Sequence, residues 1–394
     1  MRQNGMTLIE LMVSLTIGLG ITLAISSVLI SSENHKRITT STNDTQQTGV
    51  YSYYALDKVL RGAGSGIAMS AFPSDVGVLG CHLNAGGILP RAGAFPQPFA
   101  GFLGGAAGTL NIAPVLIGAA QAQGGSDVLM VMSGSGSAGG VSRQVTGGGS
   151  GTSVNLDNTV GMAHDDLLLV SLNGQPECLM EEIDTVAPPT LTFAGIYYTS
   201  TAPAISMATF ASTTSTYITP LGNADANNVQ FTLFGVDDKR TLYSYDLLQN
   251  LKLVSGGGVD AAQAIADGIV QLNALYGVSS TNSGVQDEWI GPADAGWDVH
   301  SVMTTPAKMK QIVSVRVALV VRGEYFDRNG GTTALPNPVT TSLTIFNGLK
   351  RGVGGGGSSL AVPINFVGVD RQFRYRVFEF TVPLRNMLIL AGGP

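Results

Sequence analysis

The N-terminal stretch "MRQNGMTLIELMVSLTIGLGITLAISSVLI", residues 1–30, decides the architecture of this chain. From Leu8 to Ile30 it contains a single charged side chain, that of Glu10. As a helix rising 1.5 Å per residue, this segment is about 34 Å long and spans the hydrocarbon layer of a bilayer. A secretory signal has a shorter apolar region followed by a small-x-small cleavage site. The length therefore favours a membrane-spanning helix over about residues 8–30.

Glu10 is the residue that a plain membrane anchor does not explain. A carboxylate in an apolar helix costs about 2.5–3.5 kcal/mol at the bilayer centre and less near an end. Such a residue indicates a function and requires a partner. The basic residues do not settle orientation, because Arg2 precedes the segment while Lys36 and Arg37 follow it.

Small side chains recur every four residues along the same segment, at Ser14, Gly18, Thr22 and Ser26. This spacing places them on one stripe of a helix, where small residues let apolar helices approach closely. Small residues are also common in such helices by chance. Both interpretations stay open at this point.

The helix is predicted to continue beyond the apolar segment. The positions Gly49, Tyr53, Leu56 and Leu60 have helical spacing. Gly62 and Gly64 follow and are typical of a helix end. We therefore predict one helix from Met6 to about Arg61, within a helical segment that comprises residues 6–62. The second half of this helix is predicted to pack on a globular body.

Composition describes that body. The chain has 394 residues, of which 52 are Gly, and 12% are charged. Residues 63–225 are predicted to form an irregular β-rich region of unknown type with long Gly-rich loops, and residues 226–394 a second β-rich region. Runs rich in β-branched and aromatic residues predict strands, and these begin near residues 127, 166, 191, 228, 240, 268, 311, 341, 362 and 373. The predicted fold is α+β, a long helix on a mainly antiparallel sheet.

Few residues suggest chemistry, and no enzyme, metal or cofactor is expected. Gly134, Gly136 and Gly139 match GxGxxG, but no helix can follow, so a flexible Gly/Ser loop is favoured over a nucleotide site. The net charge of -6, without a basic block, argues against nucleic acid.

Two polar runs contain side chains of the kind that bind metals. His164, Asp165 and Asp166 favour a solvated turn over a metal site. The run "NADANN" from Asn223 resembles a calcium loop but lacks its Gly, and its twelfth position is Phe234 in place of Glu. Neither run is expected to bind a metal.

The string "GMTLIELMVS" from Gly5 resembles the type IV prepilin signature. The resemblance implies that residues 1–5 are a leader removed by prepilin peptidase and that Met6 becomes the N-methylated first residue, where Phe is more usual. It also implies that Glu10 pairs with the N-terminal amine of a neighbouring subunit. The implied location is the inner membrane, single-pass with a periplasmic body, and then the extracellular pilus.

Further strings resemble the PilW family of minor pilins: "LDKVLRGAG", "LNALYGV", the pair Glu288–Trp289, "IVSVRVALVVRG" and "RYRVFEFTVPLRN". This resemblance implies a structural subunit of the pilus tip or assembly-initiating complex, with other minor pilins and the major pilin as partners. Two alternatives remain: a J-type minor pseudopilin of type II secretion, and an adhesin mounted on a pilin anchor.

The chain has two cysteines, Cys81 and Cys178. Taken alone, they are about equally consistent with two buried free thiols and with one disulfide. The pilin resemblance places them outside the cytoplasm, where disulfides persist, and so favours the Cys81–Cys178 bond.

Overall fold

The structure is a computed structural model. It describes residues 7–71, 77–86, 88–91, 93–105, 109–136, 139–199, 205–223, 225–324, 342–367, 370 and 373–391. The predicted leader, residues 1–5, and the predicted first mature residue, Met6, lie outside the described residues.

Helix α1 (Leu8–Gly62) confirms the predicted long N-terminal helix. With 55 residues it is about 80 Å long. Thr7 caps its start, because the Thr7 hydroxyl accepts a hydrogen bond of 3.4 Å from the Glu10 backbone N–H. At its end Ala63 leaves the helical conformation and Gly64 adopts a positive φ of 74°. The Gly64 N–H then donates to the Met132 carbonyl at 2.9 Å, which fixes the helix end to the body.

The two halves of α1 have different surroundings. The side chains from Leu8 to Glu33 are exposed, whereas a stripe at helical spacing is buried against the body from residue 41 onward. Gly49 lets the Phe378 ring lie directly on the helix backbone, because a Cβ atom at this position would overlap that ring. Tyr53 packs edge-on against Phe380, with 4.5 Å between ring centroids. Only the second half of α1 is therefore part of the globular core.

The sheet that receives α1 is antiparallel. Its strand order is β14 (Glu288–Ile290), β13 (Ile269–Val278), β15 (Ile312–Arg322) and β18 (Tyr375–Pro383). Phe378 and Phe380 of β18 face the helix, and the alternate residues of the strand face the other way. There a two-stranded ribbon, β16 (Ser342–Ile345) and β17 (Val362–Asn365), packs on the sheet around the buried Phe346.

A second antiparallel sheet continues the core. Its order is β12 (Gln263–Asp267), β11 (Thr241–Asp246), β10 (Val229–Val236), β3 (Val128–Gly134) and β2 (Val115–Gly118). The short helices in the described residues are α2 (Met207–Ser212), α3 (Leu247–Ser255), α4 (Val299–Met303), α5 (Pro306–Gln311) and α6 (Arg385–Ala391). Strands from both sides of residue 225 share this sheet. The domain boundary at residue 225 stays a prediction.

A third sheet closes on itself. Its order is β4 (Arg143–Gln144), β9 (Thr216–Asn223), β6 (Asp166–Leu172), β7 (Glu177–Ala187), β8 (Thr190–Phe193) and β5 (Ser153–Asn155). The first and last strands meet, because the Thr146 N–H donates to the Asn155 carbonyl at 2.9 Å and the Asp157 N–H to the Gln144 carbonyl at 3.1 Å. Strand β1 (His82–Ala85) pairs with β7 in parallel from outside this ring.

The Cys81–Cys178 disulfide links β1 to that ring. Cys81 directly precedes β1, and Cys178 lies in β7 opposite Leu83. The two Cα atoms are 5.8 Å apart. The cross-link therefore joins two segments that also share backbone hydrogen bonds.

Candidate assembly site on the N-terminal helix

The first half of α1 presents an uncovered apolar surface. Its most apolar window of 18 residues has a mean hydropathy of 2.2, and none of it is buried within the chain. In the described part of the chain it is the one helix that is long and apolar enough to cross a membrane. Such a surface is stable only in lipid or against other apolar helices.

Glu10 lies in the first turn of this half, within reach of the positive end of the helix dipole. The hydrogen bond from its backbone to Thr7 orders that turn. Among the residues that the structure describes, the Glu10 side chain forms no ion pair. Its exposed carboxylate is therefore free to meet a charge supplied by another chain.

The small-residue stripe lies on the exposed surface of the same half. The Ser14 and Thr22 hydroxyls each donate at 2.9 Å to a carbonyl one turn earlier in their own helix, those of Leu11 and Leu19. No atom of the chain lies within 4 Å of where a Cβ of Gly18 would be. The stripe Ser14, Gly18, Thr22 and Ser26 thus offers a surface of small side chains, on which the Ser14 and Thr22 hydroxyls are already bonded within the helix. Its role in helix packing stays a prediction.

Sequence reasoning missed a second exposed feature on α1, beyond the membrane segment. Val50, Tyr51 and Tyr54 are 54%, 57% and 62% exposed, although all three are large and apolar. They lie on the side of the helix opposite the buried stripe. Gly18 and Tyr54 are about ten helical turns apart at 3.6 residues per turn, and so lie on about the same side. The sequence contained a signal for this group: at helical spacing, residues 50, 51 and 54 fall on the opposite side of the helix from the predicted packing positions 49, 53 and 56.

The structure brings the two candidate metal runs together and gives each a structural role. Asn223 donates from Nδ2 to the His164 carbonyl at 2.9 Å and to Asp166 Oδ1 at 3.2 Å. Its own Oδ1 accepts two backbone N–H groups, those of Asp225 and Ala226. Ala224 lies outside the described residues. In the described part of the chain, no group of three or more His, Cys, Asp or Glu side chains is placed to hold a metal.

Two glycines of the GxGxxG match, Gly134 and Gly136, allow close backbone packing, whereas Gly139 has open space at its Cβ position and a positive φ of 78°. A Cβ at Gly134 would overlap the Leu221 carbonyl, and one at Gly136 would lie 3.1 Å from the Gly222 Cα. Gly140, next in the run, approaches Gly66 at the end of α1 in the same manner. These glycines let the loop after β3 lie flat on its neighbours, and residues 137 and 138 of that loop lie outside the described range.

Comparison with known families gives two matches. The model of the type IV pilus-assembly protein W, PilW, matches residues 233–386, and the model of the prokaryotic N-terminal methylation motif matches residues 1–19. Together the two hits match a PilW-like type IV pilin. The two matches support a minor pilin of the type IV pilus system, and the apolar half of α1 fits a membrane-anchored pilin. Comparisons with curated proteins and with solved structures give no match.

Residues that carried the PilW resemblance have clear structural roles. Trp289 of β14 lies beneath the Arg316 guanidinium, 6.0 Å from ring centroid to Cζ, and Arg316 pairs with Glu379 at 2.8 Å. Tyr276, from the string "LNALYGV", is buried and packs against Trp297, with ring centroids 5.9 Å apart. The strings shared with the PilW-type pilins therefore hold together the sheet on which α1 packs.

Proposed function

We propose that this PilW-like pilin is inserted in the inner membrane through α1, with its body in the periplasm, and then enters the tip or assembly-initiating complex of a type IV pilus. The observation that carries the proposal is the uncovered apolar half of α1, which overlaps the N-methylation motif matched at residues 1–19. The role is structural, and the partners are other minor pilins, the major pilin and prepilin peptidase.

In this proposal Gly5 is the last leader residue and Met6 the first mature residue. Prepilin peptidase cuts between them, and the new amine of Met6 is N-methylated. A large side chain at position 5 cannot occupy a peptidase site shaped for glycine. Cleavage is needed before the mature amine exists, so it precedes every later step.

Glu10 then acts when a subunit joins the growing complex. Its carboxylate pairs with the N-terminal amine of a neighbouring subunit. In an apolar bundle an ion pair is far stronger than in water, and an unpaired carboxylate is penalised. The pairing sets the axial register of the incoming helix, and the stripe of Ser14, Gly18, Thr22 and Ser26 lets that helix approach closely.

The leader tests the proposal most directly. Gly5→Leu should leave residues 1–5 on the chain, while Asn4→Leu is the matched control and should be processed. Mass spectrometry of the N-terminal peptide from membranes measures both. A mature, methylated Met6 in the Gly5→Leu protein would overturn the proposal.

The second candidate function, a minor pseudopilin of type II secretion, shares the leader and α1. The PilW match over residues 233–386 favours the pilus. Deleting the gene and scoring pili and secretion separately decides between the two. Lost secretion with normal pili would favour the pseudopilin.

A further inference from the structure

A cavity lies between the sheet that receives α1 and the β16–β17 ribbon. Its volume is about 430 Å³, which falls within the range of about 300–1,000 Å³ typical of small-molecule sites. It forms beside β13, beyond the point where β14 stops pairing at Tyr276. There the segment before β3 bonds to the edge of β13, because the Asp127 N–H donates to the Leu272 carbonyl at 2.9 Å.

One part of the cavity lining is a buried carboxylate. Asp127 is 5% exposed. Its Oδ1 accepts from the Ala120 N–H at 2.9 Å, and its Oδ2 accepts from the Ala274 N–H at 2.9 Å and from Asn273 Nδ2 at 3.2 Å. These three donors are neutral, and they use three of the roughly four acceptor positions of a carboxylate.

The charge of Asp127 has no counter-charge in the described part of the chain. None of the ion pairs there includes Asp127. Burial raises the pKa of Asp127 to about 6, so its carboxyl group is ionised at neutral pH. A buried carboxylate without a cation is penalised, and a cation supplied from outside would relieve that penalty.

An amide oxygen beside Asp127 lacks a donor. Asn273 Oδ1 is buried and has no hydrogen-bond partner among the residues that the structure describes. The Asp127 carboxylate fixes the orientation of this amide, because exchanging its nitrogen and oxygen would set oxygen against oxygen. Asn273 Oδ1 therefore stays an open acceptor in the lining of the cavity.

A second carboxylate in the lining is already neutralised. Asp294 Oδ1 lies 3.3 Å from a guanidinium nitrogen of Arg351, and Asp294 Oδ2 accepts from the Gly291 N–H at 2.8 Å. The unpaired charge of the cavity is therefore the charge of Asp127.

Other parts of the lining are apolar. Leu275 lies two residues after Asn273 on β13, so the two side chains share one face of the strand. Leu275 packs in one cluster with Leu360 and Val362 of the ribbon region, and all three line the cavity. A metal ion would leave these side chains in contact with water, whereas an organic cation would cover them.

We propose that this cavity binds a primary ammonium group on a short aliphatic chain, as carried by a lysine side chain or by a free alkylamine. An ammonium group has three donors and no acceptor, which matches Asn273 Oδ1 and the free acceptor position of Asp127. The aliphatic chain covers Leu275, Leu360 and Val362. None of these residues lies in α1, so the site is separate from the assembly role proposed above.

The test uses full-length protein in a non-ionic detergent at about pH 7.5, with n-butylammonium chloride as the probe. Saturation-transfer NMR measures its binding, with protein-free micelles as the blank. The wild type should bind n-butylammonium with a dissociation constant on the order of 1 mM. Two compounds each lack one half of the probe: n-butanol lacks the charge, and ammonium chloride, tested as a competitor, lacks the chain. Both should bind at least about tenfold more weakly.

The charge is tested by Asp127→Asn, which should weaken binding of n-butylammonium about tenfold. Its matched control is Asp44→Asn, at an exposed position of α1. The control should change the affinity by less than about twofold.

A second variant leaves Asp127 in place, because Asp127 also bonds Ala120 and Ala274 and its replacement can disturb the fold. Ala361→Leu fills the cavity from the side of the ribbon. It should weaken binding about tenfold, since the added side chain and the probe compete for one space. Ala261→Leu, at an exposed position away from the cavity, is its control and should bind like the wild type.

Four outcomes would overturn the proposal. The first is that the wild type does not bind n-butylammonium. The second is equal binding by the wild type and Ala361→Leu, which would place the amine elsewhere on the protein. The third is that n-butanol binds as tightly as n-butylammonium, which would mean an apolar cavity only. The fourth is displacement of n-butylammonium by an equal concentration of Ca²⁺, which would mean a metal site.

Nα-acetyl-lysine amide distinguishes the two sources of the ammonium group. Binding at least as tight as that of n-butylammonium identifies a lysine side chain of a partner protein. Binding about tenfold weaker identifies a free alkylamine, because the peptide groups then do not fit. Either result supports the proposal. The function proposed above depends on Gly5 and Glu10 and is tested separately by the leader experiment.

Discussion

The two parts of this protein are built by different rules. The scaffold, α1 with the two open sheets, is held by contacts between segments far apart in the sequence, such as Gly49 with Phe378. Residues 135–228, which we call the inserted module, lie between the paired residues Gly134 of β3 and Val229 of β10. The inserted module closes on itself and meets the scaffold along one side. The PilW match covers most of the scaffold strands that follow the module and none of the module.

This difference shows where sequence is constrained in such a subunit. A scaffold strand must fit the helix on one face and a second layer on the other, so its apolar residues are restricted on both faces. The module is joined to the scaffold at the paired residues Gly134 and Val229. This boundary constrains the module in one way: its two ends must lie close together. Its interior and its charge are then free to differ.

The largest effect is expected at the scaffold residue Glu10. Glu10→Ala should cut the number of pili severalfold, because the pairing with a neighbouring amine is lost. Insertion and folding should be unaffected, since the segment becomes more apolar and the body does not contain position 10. Immunoblots of inner membranes and sheared filaments measure this, with Glu33→Ala as a control on the same helix. Wild-type pilus counts would remove the proposed role of Glu10.

The disulfide tests how firmly the module is tied to the scaffold. Cys81 and Cys178 are 97 residues apart, and closing a loop of that length stabilises by about 4–5 kcal/mol in the chain-entropy model. Cys81→Ala/Cys178→Ala should lower the free energy of unfolding by up to that amount, measured by urea denaturation. Reductant should destabilise the wild type similarly and leave the variant unchanged. Alkylatable thiols at both positions in periplasmic protein would contradict the bond.

Local pattern was enough to predict α1 and the ten strands rich in apolar residues, because each carries its own periodicity. It failed for β7 and β9 of the module. In β7 the adjacent Glu181 and Glu182 suggest a polar loop, yet Glu181 is fully buried. In β9, Pro220 argues against a central strand. The closed sheet depends on long-range pairing that no local pattern carries.

The same limit applies to the assembly site. Through the pilin resemblance the leader string predicts roles for Gly5, Met6 and Glu10, and these roles stay predictions. The exposed group Val50, Tyr51 and Tyr54 was missed, because an apolar residue on a helix suggests a buried position until the covered face is known. That face is set by Phe378 and Phe380, more than 300 residues further along the chain.

A pair of core substitutions sharpens the comparison between module and scaffold. Phe210 of α2 and Phe231 of β10 are both buried, at 0% and 1% exposure. Either Phe→Ala change should lower the free energy of unfolding by about 3–5 kcal/mol, through lost burial and the cavity left behind. Pilus counts should fall for Phe231→Ala and stay near wild type for Phe210→Ala. An equal loss of pili would mean that the scaffold depends on the module.

Up to pH 7 the smallest effect is expected at Glu181, and it should depend on pH. Burial raises the pKa of the Glu181 carboxyl to about 9, against an ordinary value of 4.5. The folded protein therefore holds this proton more tightly than the unfolded chain does. The stabilisation is complete below about pH 4.5 and is lost as the pH rises towards 9. Between pH 5 and pH 7 this loss is about 2–3 kcal/mol, since the slope is about 1.4 kcal/mol per pH unit.

Glu181→Gln tests that slope, because the amide keeps the shape of the protonated carboxyl and does not ionise. The variant should match the wild type at pH 5 and unfold at higher urea at pH 8. The control is Asp184→Asn, which removes a partly exposed carboxylate from the same strand. This variant should not gain stability over the wild type at pH 8. Asp127, whose pKa burial raises to about 6, adds a slope of the same sign at lower pH in both proteins, so the slopes of stability against pH are compared above pH 6.5. If Glu181→Gln keeps the full wild-type slope there, the buried carboxyl is not its source, and the module core must admit enough water to hold Glu181 ionised.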